Sequence, residues 1–312
     1  MRIGVVGSGV MGQQHLESAC GIAGLSLVTR TMSPFNAIPR GDRRRLLAAM
    51  LSDMSIDAID ICLPTSQHEP VAIAALAAGK HVLCEKPMAL SAASSKRMLA
   101  EATLRQKILM IAHVVRFFPA YRRLAEAVRT HEFGPPVRAL FQRESAMPDW
   151  GEWLTQENES GGGILDLLVH DFDQVLLLFG EPRTLNATPI HLPDSVTCKM
   201  ECQGVHVTVQ GGWFADGRPF TMSFRVEFSE GTMVYRDGQL MLERPGHSMQ
   251  EIPVSNVDPY QEQLRYFAAC CEQNEQPVAC PPDASAAATG LALEVRELSL
   301  HFPGTTVLRA GR

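Results

Sequence analysis

A chain of 312 residues is long enough for two domains with a sizeable core, and 46% hydrophobic against 20% charged residues is an ordinary globular balance. Its formal net charge of −6 offers no basic surface, which excludes nucleic acid and an anionic membrane as expected partners. No apolar run reaches the roughly 18 residues of a membrane span; the nearest, GILDLLVHDFDQVLLLFG, is interrupted by Asp166, His170, Asp171 and Asp173. The N-terminus MRIGVVGSG runs straight into a strand, with no extended apolar region or small-residue cleavage site before it, so the cytoplasm is the expected location. Eight cysteines are expected to be reduced and structural. Cys198 and Cys202 have His206 nearby but no second Cys/His pair at zinc-finger spacing, and no metal is expected.

In chain order, the apolar runs RIGVVG, LSLVTR, DAIDICLP, HVLCEK and ILMIAHVV alternate with segments of helical period, the pattern of a parallel sheet covered by helices. HEPVAIAALAAGK reads as a helix closed by Gly79, and Ser91 as the N-cap of SAASSKRMLAEATLRQ. After Arg116 the texture changes to a helix PAYRRLAEAVRTHEFG, a strand VRALFQRES, a polar loop with Trp150 and Trp153, and GGG opening a helix ILDLLVHDFDQVLLLFG. VHVTVQGGW and FTMSFRVEF are strands, and Asp237-Gly238 is a turn signal. DPYQEQLRYFAACCEQ and SAAATGLALEVRELSL are closing helices. The expected fold is a doubly wound α/β Rossmann domain over 1–117, followed over 118–312 by an α+β domain with a large, mostly antiparallel open sheet.

Gly7, Gly9 and Gly12 stand in G-x-G-x-x-G spacing after the first run. Read as a nucleotide cradle, Gly7 permits the tight turn, Gly9 the approach of a pyrophosphate and Gly12 close packing of helix on strand, with the helix amides facing the phosphates. Read otherwise, it is an ordinary strand-to-helix turn; its place at the head of a repeated strand-helix alternation favours the cradle. An NAD site places an acidic residue about 20 residues on. Here the second run ends LVTRT, so Arg30, with Thr29 and Thr31, favours a 2′-phosphate and hence NADP; alternatively Arg40 or Arg43 to Arg45 holds that phosphate, or none does.

Lys86, in CEKP at the end of HVLCEK, falls where carboxyl ends of parallel strands face a cofactor crevice. A lysine partly desolvated there can donate to a substrate hydroxyl or share in proton transfer; a surface lysine would do neither. In GGGILDLLVHDFD, Asp166 and His170 are four positions apart, which a continuous helix presents on one face, either to one small polar ligand or simply to each other. Asp171 and Asp173 point elsewhere.

The succession of G-x-G-x-x-G, P-T-x-x-H at Pro64, Thr65 and His68, E-K-P at Glu85 to Pro87, and G-G-G-x-L-D-x-x-x-H resembles the glucose-fructose oxidoreductase / inositol dehydrogenase / rhizopine-catabolism family of NAD(P)-dependent oxidoreductases. RFFPAY and DPYQEQLRYF extend the resemblance over nearly the whole chain. It implies an enzyme acting on a sugar, polyol or related hydroxy or keto compound, with NADP, or else NAD, as cofactor. Lys86 is then the active-site lysine, His170 the acid/base and Asp166 a residue that binds or orients substrate. The cofactor set becomes Gly7, Ser8, Gly9, Val10, Met11, Gly12, Arg30, Leu63, Pro64, Thr65, His68, Glu85 and Lys86. The substrate set becomes Lys86, Asp166 and His170, with His113 either reaching the same cleft or simply hydrogen-bonding within it, and Trp150 and Trp153 either stacking on a sugar ring or capping the second domain's core. The family's sheet also implies a homodimer or homotetramer. Leu168 stands where the family often has glycine, which bears on substrate shape, and the missing acidic residue bears on cofactor choice. A non-catalytic dinucleotide-binding sensor is the alternative on the same fold.

Overall fold

The computed structural model describes residues 1–29 and 40–309. The first part alternates β1 (Arg2–Val6), α1 (Val10–Ser18), β2 (Ser26–Val28), α2 (Arg40–Leu51), β3 (Ala58–Ile61), α3 (His68–Ala77), β4 (His81–Cys84), α4 (Ala92–Arg105) and β5 (Leu109–Ile111). Two predicted helix ends are where the chemistry put them. Ser91 caps α4 by accepting the Ser94 N–H at 3.1 Å, and α3 stops just before Gly79.

Among the described residues, the five strands form a parallel sheet in the order β2-β1-β3-β4-β5. The chain leaves β1 for β2 on one side and returns to β3 on the other, which puts the topological switch point at the carboxyl ends of β1 and β3. Val6 is paired with Ile61, Ile61 with Cys84 and Cys84 with Ile111. The segments after these strands therefore leave from one level edge. One face buries Ile59, Ile61, Val82 and Leu109 against Val71, Leu76 and Met98; the other carries Ile3, Ala58, Leu83 and Met110.

After β5 come α5 (Pro119–Thr130), β6 (Pro136–Ala146), α6 (Glu157–Ser160), α7 (Gly162–Asp166), α8 (Val169–Phe179), β7 (Thr184–Ala187), β8 (Asp194–Cys202), β9 (Val205–Phe214), β10 (Thr221–Phe228), β11 (Gly231–Arg236), β12 (Gln239–Glu243) and β13 (Gln250–Glu251). The chain closes with α9 (Pro259–Gln273), α10 (Pro282–His301) and β14 (Thr306–Leu308). The second sheet has the order β13-β12-β11-β10-β6-β9-β8-β7-β14 and is antiparallel except between β6 and β9. Asp237 and Gly238, at φ +52° and +79°, make the two-residue turn between β11 and β12. Its core includes Tyr121 of α5 set edge-on to Phe224, which stacks on Tyr235, and Phe141 against Phe179.

The chain divides into two compact units, but not at one cut. Residues 158–160 and 257–286 group with 1–117, while 118–157, 161–256 and 287–312 make up the second unit. The reason is packing: Leu264, Phe267, Cys270 and Cys271 of α9 share a core with Ile3, Leu83 and Met110, and so supply the helix that covers the second face of the parallel sheet. Ser66 donates to the Glu159 carboxylate, tying the short 158–160 segment to the loop after β3.

The expected single helix after GGG is two helices. α7 ends at Asp166 and α8 starts at Val169, with Leu167 and Leu168 between them still right-handed. Asp166 and His170 thus lie on different helices rather than four apart on one. α8 is held to β6 by Arg143, whose Nε and Nη2 donate to the two Asp171 oxygens at 2.8 and 3.2 Å, both side chains being buried. Burial raises the Asp171 carboxyl, opposed by the Arg143 guanidinium and its two charge-assisted bonds. Removing one partner leaves the other charge buried and alone. Asp171→Ala is expected to destabilise the protein by about 3–5 kcal/mol in urea unfolding followed by circular dichroism. Arg143→Met combined with Asp171→Leu is expected to cost far less, and a loss below about 1 kcal/mol for Asp171→Ala alone would show that the pair does not hold α8.

Candidate active site

Within the first unit, the site is built from the loops that leave the level edge of the parallel sheet. β1 hands over through Gly7 and Ser8 to α1, whose N-cap is Gly9. A side chain at Gly12 would collide with the Gly7 carbonyl, so only glycine lets this helix start so close to the strand end. A side chain built at Gly9 would meet no protein atom within 4 Å, and Gly9 gives no side-chain cap to the first-turn amides. The helix start is therefore open to an anion and supplies donors for it, as the cradle reading requires. Val10 is exposed, Met11 half-buried and Ser8 buried.

The loop after β3 places Leu63 beside this turn and continues through Pro64 to Thr65, which begins a 3₁₀ turn that runs into α3. Thr65 is buried, and among the described residues its Oγ1 has no hydrogen-bond partner, which suits a hydroxyl kept for a bound group. These features fit a dinucleotide.

His68 has another task. Its ring nitrogens lie 2.8 Å from the Pro87 carbonyl and 2.9 Å from the Leu63 carbonyl, and burial holds it below the usual histidine range. It braces the 63–65 loop against the E-K-P turn. Glu85 is likewise buried: one oxygen faces His15 Nε2 at 3.1 Å and the other accepts the Lys86 N–H at 3.1 Å. Burial pushes its carboxyl up, but His15, Lys86 and His68 together hold it below the usual carboxylate range. Both residues were expected to touch cofactor; in the fold their side-chain polar atoms contact the neighbouring loops and His15. Lys86 is half-buried at the end of β4, followed by a cis Pro87, and His113 is fully buried just past β5. Arg30, the expected 2′-phosphate ligand, lies outside the described residues, as do the side chains of Arg40 and Arg43; Arg44 and Arg45 are exposed.

Within the second unit, the G-G-G turn is fixed by a partner the motif does not contain. The Gly163 N–H donates to Asp194 Oδ2 at 2.6 Å, and Arg296 Nη1 holds the same carboxylate at 3.2 Å. Gly162, at φ +77°, leaves no room for a side chain, because a Cβ would collide with the Asp194 carboxylate. Burial raises the Asp194 carboxyl, opposed by Arg296 and the Gly163 amide. This turn starts α7, where Asp166 is 9% exposed, and leads to His170 at 8%, with Leu168 fully buried between them. Trp150 is exposed and sits edge-on to Trp153 at 6.2 Å, so it does not cap a core; Trp213 is the buried tryptophan.

All eight cysteines are free thiols. Cys198 and Cys202 point into the core, whereas His206 is exposed, so strand alternation separates the residues weighed as a metal set. The fold gathers a different group instead, His15, Asp60 and Cys62, with ligand-type atoms within 4.8 Å of one another. Sequence reading missed His15, Asp60, Arg143, Asp194 and Arg296. For His15 and Asp60 a signal was present: a charged residue within the apolar strand DAIDIC must find a partner, and His15 follows Gly12 by three residues on the helix packed over that strand.

Comparisons with known proteins agree with this geometry. The family model of the oxidoreductase family with an NAD-binding Rossmann fold, GFO_IDH_MocA, matches residues 1–113, and the GFO/IDH/MocA C-terminal domain matches residues 121–234. The chain is 32% identical over 195 residues to a myo-inositol 2-dehydrogenase of Thermotoga maritima, covering 58% of this chain and 55% of that protein. It is 29% identical over 267 residues to a 1,5-anhydro-D-fructose reductase of Ensifer adhaerens, covering 78% of each. A levoglucosan dehydrogenase solved in complex with NADH superposes over 100% of both chains with a TM-score of 0.84 at 19% identity, a likeness of fold. With a glycine cradle at its first strand end, an E-K-P turn on the same sheet edge and two family models tiling most of its length, this chain belongs to the GFO/IDH/MocA family of oxidoreductases.

Proposed function

We propose that the protein is a cytoplasmic, NADP-preferring dehydrogenase or reductase of a sugar, polyol or related hydroxy or keto compound. The observation that carries this reading is the shared edge of the parallel sheet, from which both the open start of α1 and the Lys86 turn emerge. Relatives named for inositol, anhydrofructose and levoglucosan support the substrate class. Among the described residues no helix is long and apolar enough to cross a membrane.

The dinucleotide, when bound, supplies the two-electron acceptor or donor. The amides of the α1 start and the Thr65 hydroxyl would hold it, and Arg30 would favour a 2′-phosphate by charge. In oxidation, His170 takes the substrate hydroxyl proton on a ring nitrogen while Lys86 Nζ donates to the same oxygen and stabilises its charge. Asp166 orients the substrate. Well-placed acid/base groups contribute about 10²- to 10⁴-fold, and orientation contributes much of the rest.

A screen of myo-inositol, 1,5-anhydro-D-fructose, levoglucosan and other sugars and polyols with NAD(H) and NADP(H), read by reduced-nicotinamide absorbance, is expected to give turnover. Binding of a dinucleotide without turnover on any of them would favour the sensor reading. On the substrate found, Lys86→Met and His170→Ala are each expected to lower kcat by about 100-fold or more with little change in cofactor affinity, whereas Asp166→Asn costs less and moves the pH optimum. Full activity in His170→Ala would remove it from the mechanism.

Cofactor choice has its own measurement. Arg30→Asp is expected to reverse or abolish the preference for NADP; wild-type protein binding NAD at least as tightly as NADP at one salt concentration would overturn the argument from charge. The outer face of the second sheet, on which half-buried Leu140, Arg225, Val234 and Met241 stand opposite one another across four strands, is proposed to join copies into a dimer or tetramer. Light scattering at micromolar concentration that returns the mass of one chain would exclude a tight assembly.

A further inference from the structure

We infer that His15 is a positioning residue, which locks the helix of the phosphate cradle to the strand end carrying Lys86 by bridging the carboxylates of Asp60 and Glu85. Its Nδ1 lies 2.8 Å from Asp60 Oδ2 and its Nε2 lies 3.1 Å from Glu85 Oε1. The first contact is a hydrogen bond and the second an ion pair without full hydrogen-bond alignment. His15 and Asp60 are fully buried and Glu85 is 5% exposed.

The chemistry of the pair of contacts fixes the ring's state. A neutral imidazole has one N–H and one lone pair, and here a lone pair would face a carboxylate oxygen on one side or the other. With an N–H on each nitrogen the ring hydrogen-bonds Asp60 and pairs by charge with Glu85, so the ring is assigned as an imidazolium. The groups that face it from every packed element are Asp60 and Cys62 at the end of β3, Glu85 beyond β4 and the Tyr260 ring of α9 at 6.3 Å; Lys86 and His68 act on Glu85 from behind. Burial opposes the charge on His15, but the Asp60 carboxylate carries it well above its usual value, while the Cys62 thiol beside it is pushed up to about 12 by burial and Asp60 and so stays neutral. Glu85 then holds the Lys86 N–H with its other oxygen. A continuous path thus runs from α1, through His15 and Glu85, to the backbone of Lys86.

Its consequence for catalysis rests on the oxidoreductase reading: a bound dinucleotide is registered by α1 and the reacting oxygen by Lys86, and an error of about 1 Å between them can cost about 100-fold. The bridge itself is tested without turnover. In ¹⁵N-labelled full-length protein, both ring nitrogens of His15 are expected to be protonated at pH 7.5, a pH chosen about one unit above the ordinary histidine value; a neutral ring there overturns the inference. In His15→Gln and Glu85→Gln, hydrogen exchange at the Lys86 amide is expected to rise about tenfold or more while β3 core amides such as Ile59 keep their rates. Unchanged exchange at Lys86, or equal loosening everywhere, overturns it.

The pH dependence has a definite sign. A histidine raised in the fold contributes stability fully present below its unfolded value near 6.5 and lost as pH rises through the folded value. The melting-temperature gap between wild type and His15→Gln should therefore narrow on the alkaline side, and a gap that widens there overturns the imidazolium assignment. On the substrate found by the screen, both variants are expected to lower kcat at least tenfold with cofactor KM changed less than about threefold. Unchanged kcat beside an intact bridge would reduce His15 to a structural residue, whereas a failed screen beside an intact bridge would count against the oxidoreductase reading and not against the link.

Discussion

Parallel pairing that brings four strands to a common end is the constraint on which the first unit depends. Because Val6, Ile61, Cys84 and Ile111 are in register, the peptide groups that follow them emerge side by side, and loops far apart in sequence share one edge. Strand order then decides which part of that edge is a crevice: β2 and β3 lie on opposite sides of β1, so the connections diverge where Gly7 ends its strand. The open helix start, the buried Thr65 hydroxyl and the Lys86 turn all follow from that geometry.

This edge needs internal bracing, because its loop residues Leu63, Thr65, Glu85 and Pro87 are buried and bring polar backbone groups out of water. Here the bracing is done by histidines. His68 spans the carbonyls of Leu63 and Pro87, and His15 spans the carboxylates of Asp60 and Glu85. Two residues of the recognised motifs, His68 and Glu85, thus brace the loops of this edge. The second unit uses ion pairs for the same end: the buried pair of Arg143 with Asp171 fixes the start of α8, and the partly buried pair of Arg296 with Asp194 fixes the G-G-G turn. Buried pairs of this kind contribute little net stability over apolar packing, but they strongly penalise any arrangement that separates them.

Much of the architecture was legible because it rests on local chemistry. Hydrophobic period and turn residues marked the alternating strands and helices of the first part, Ser91 marked a helix start, and Asp237-Gly238 marked a hairpin. Two features were not legible. The break at Leu167 and Leu168 lies in an apolar stretch with no proline or glycine to announce it, flanked by the Gly163–Asp194 bond on one side and the Arg143–Asp171 pair on the other. α9 reads as an amphipathic helix wherever it packs, and nothing in its sequence says that its apolar face covers Ile3 and Leu83, both more than one hundred and seventy residues earlier in the chain.

By itself, then, the sequence determined the family, the class of fold and the short motifs, because each of these is written in neighbouring residues: glycine spacing, a lysine at a strand end, a glycine-rich entry to a helix. Only the tertiary structure decided which polar residues are consumed in holding the loops. That choice depends on partners distant in the chain: Asp60 lies forty-five residues from His15, and Asp194 thirty-one from Gly163. A buried charge must find its counter-charge wherever the fold brings one, and no local pattern encodes that meeting.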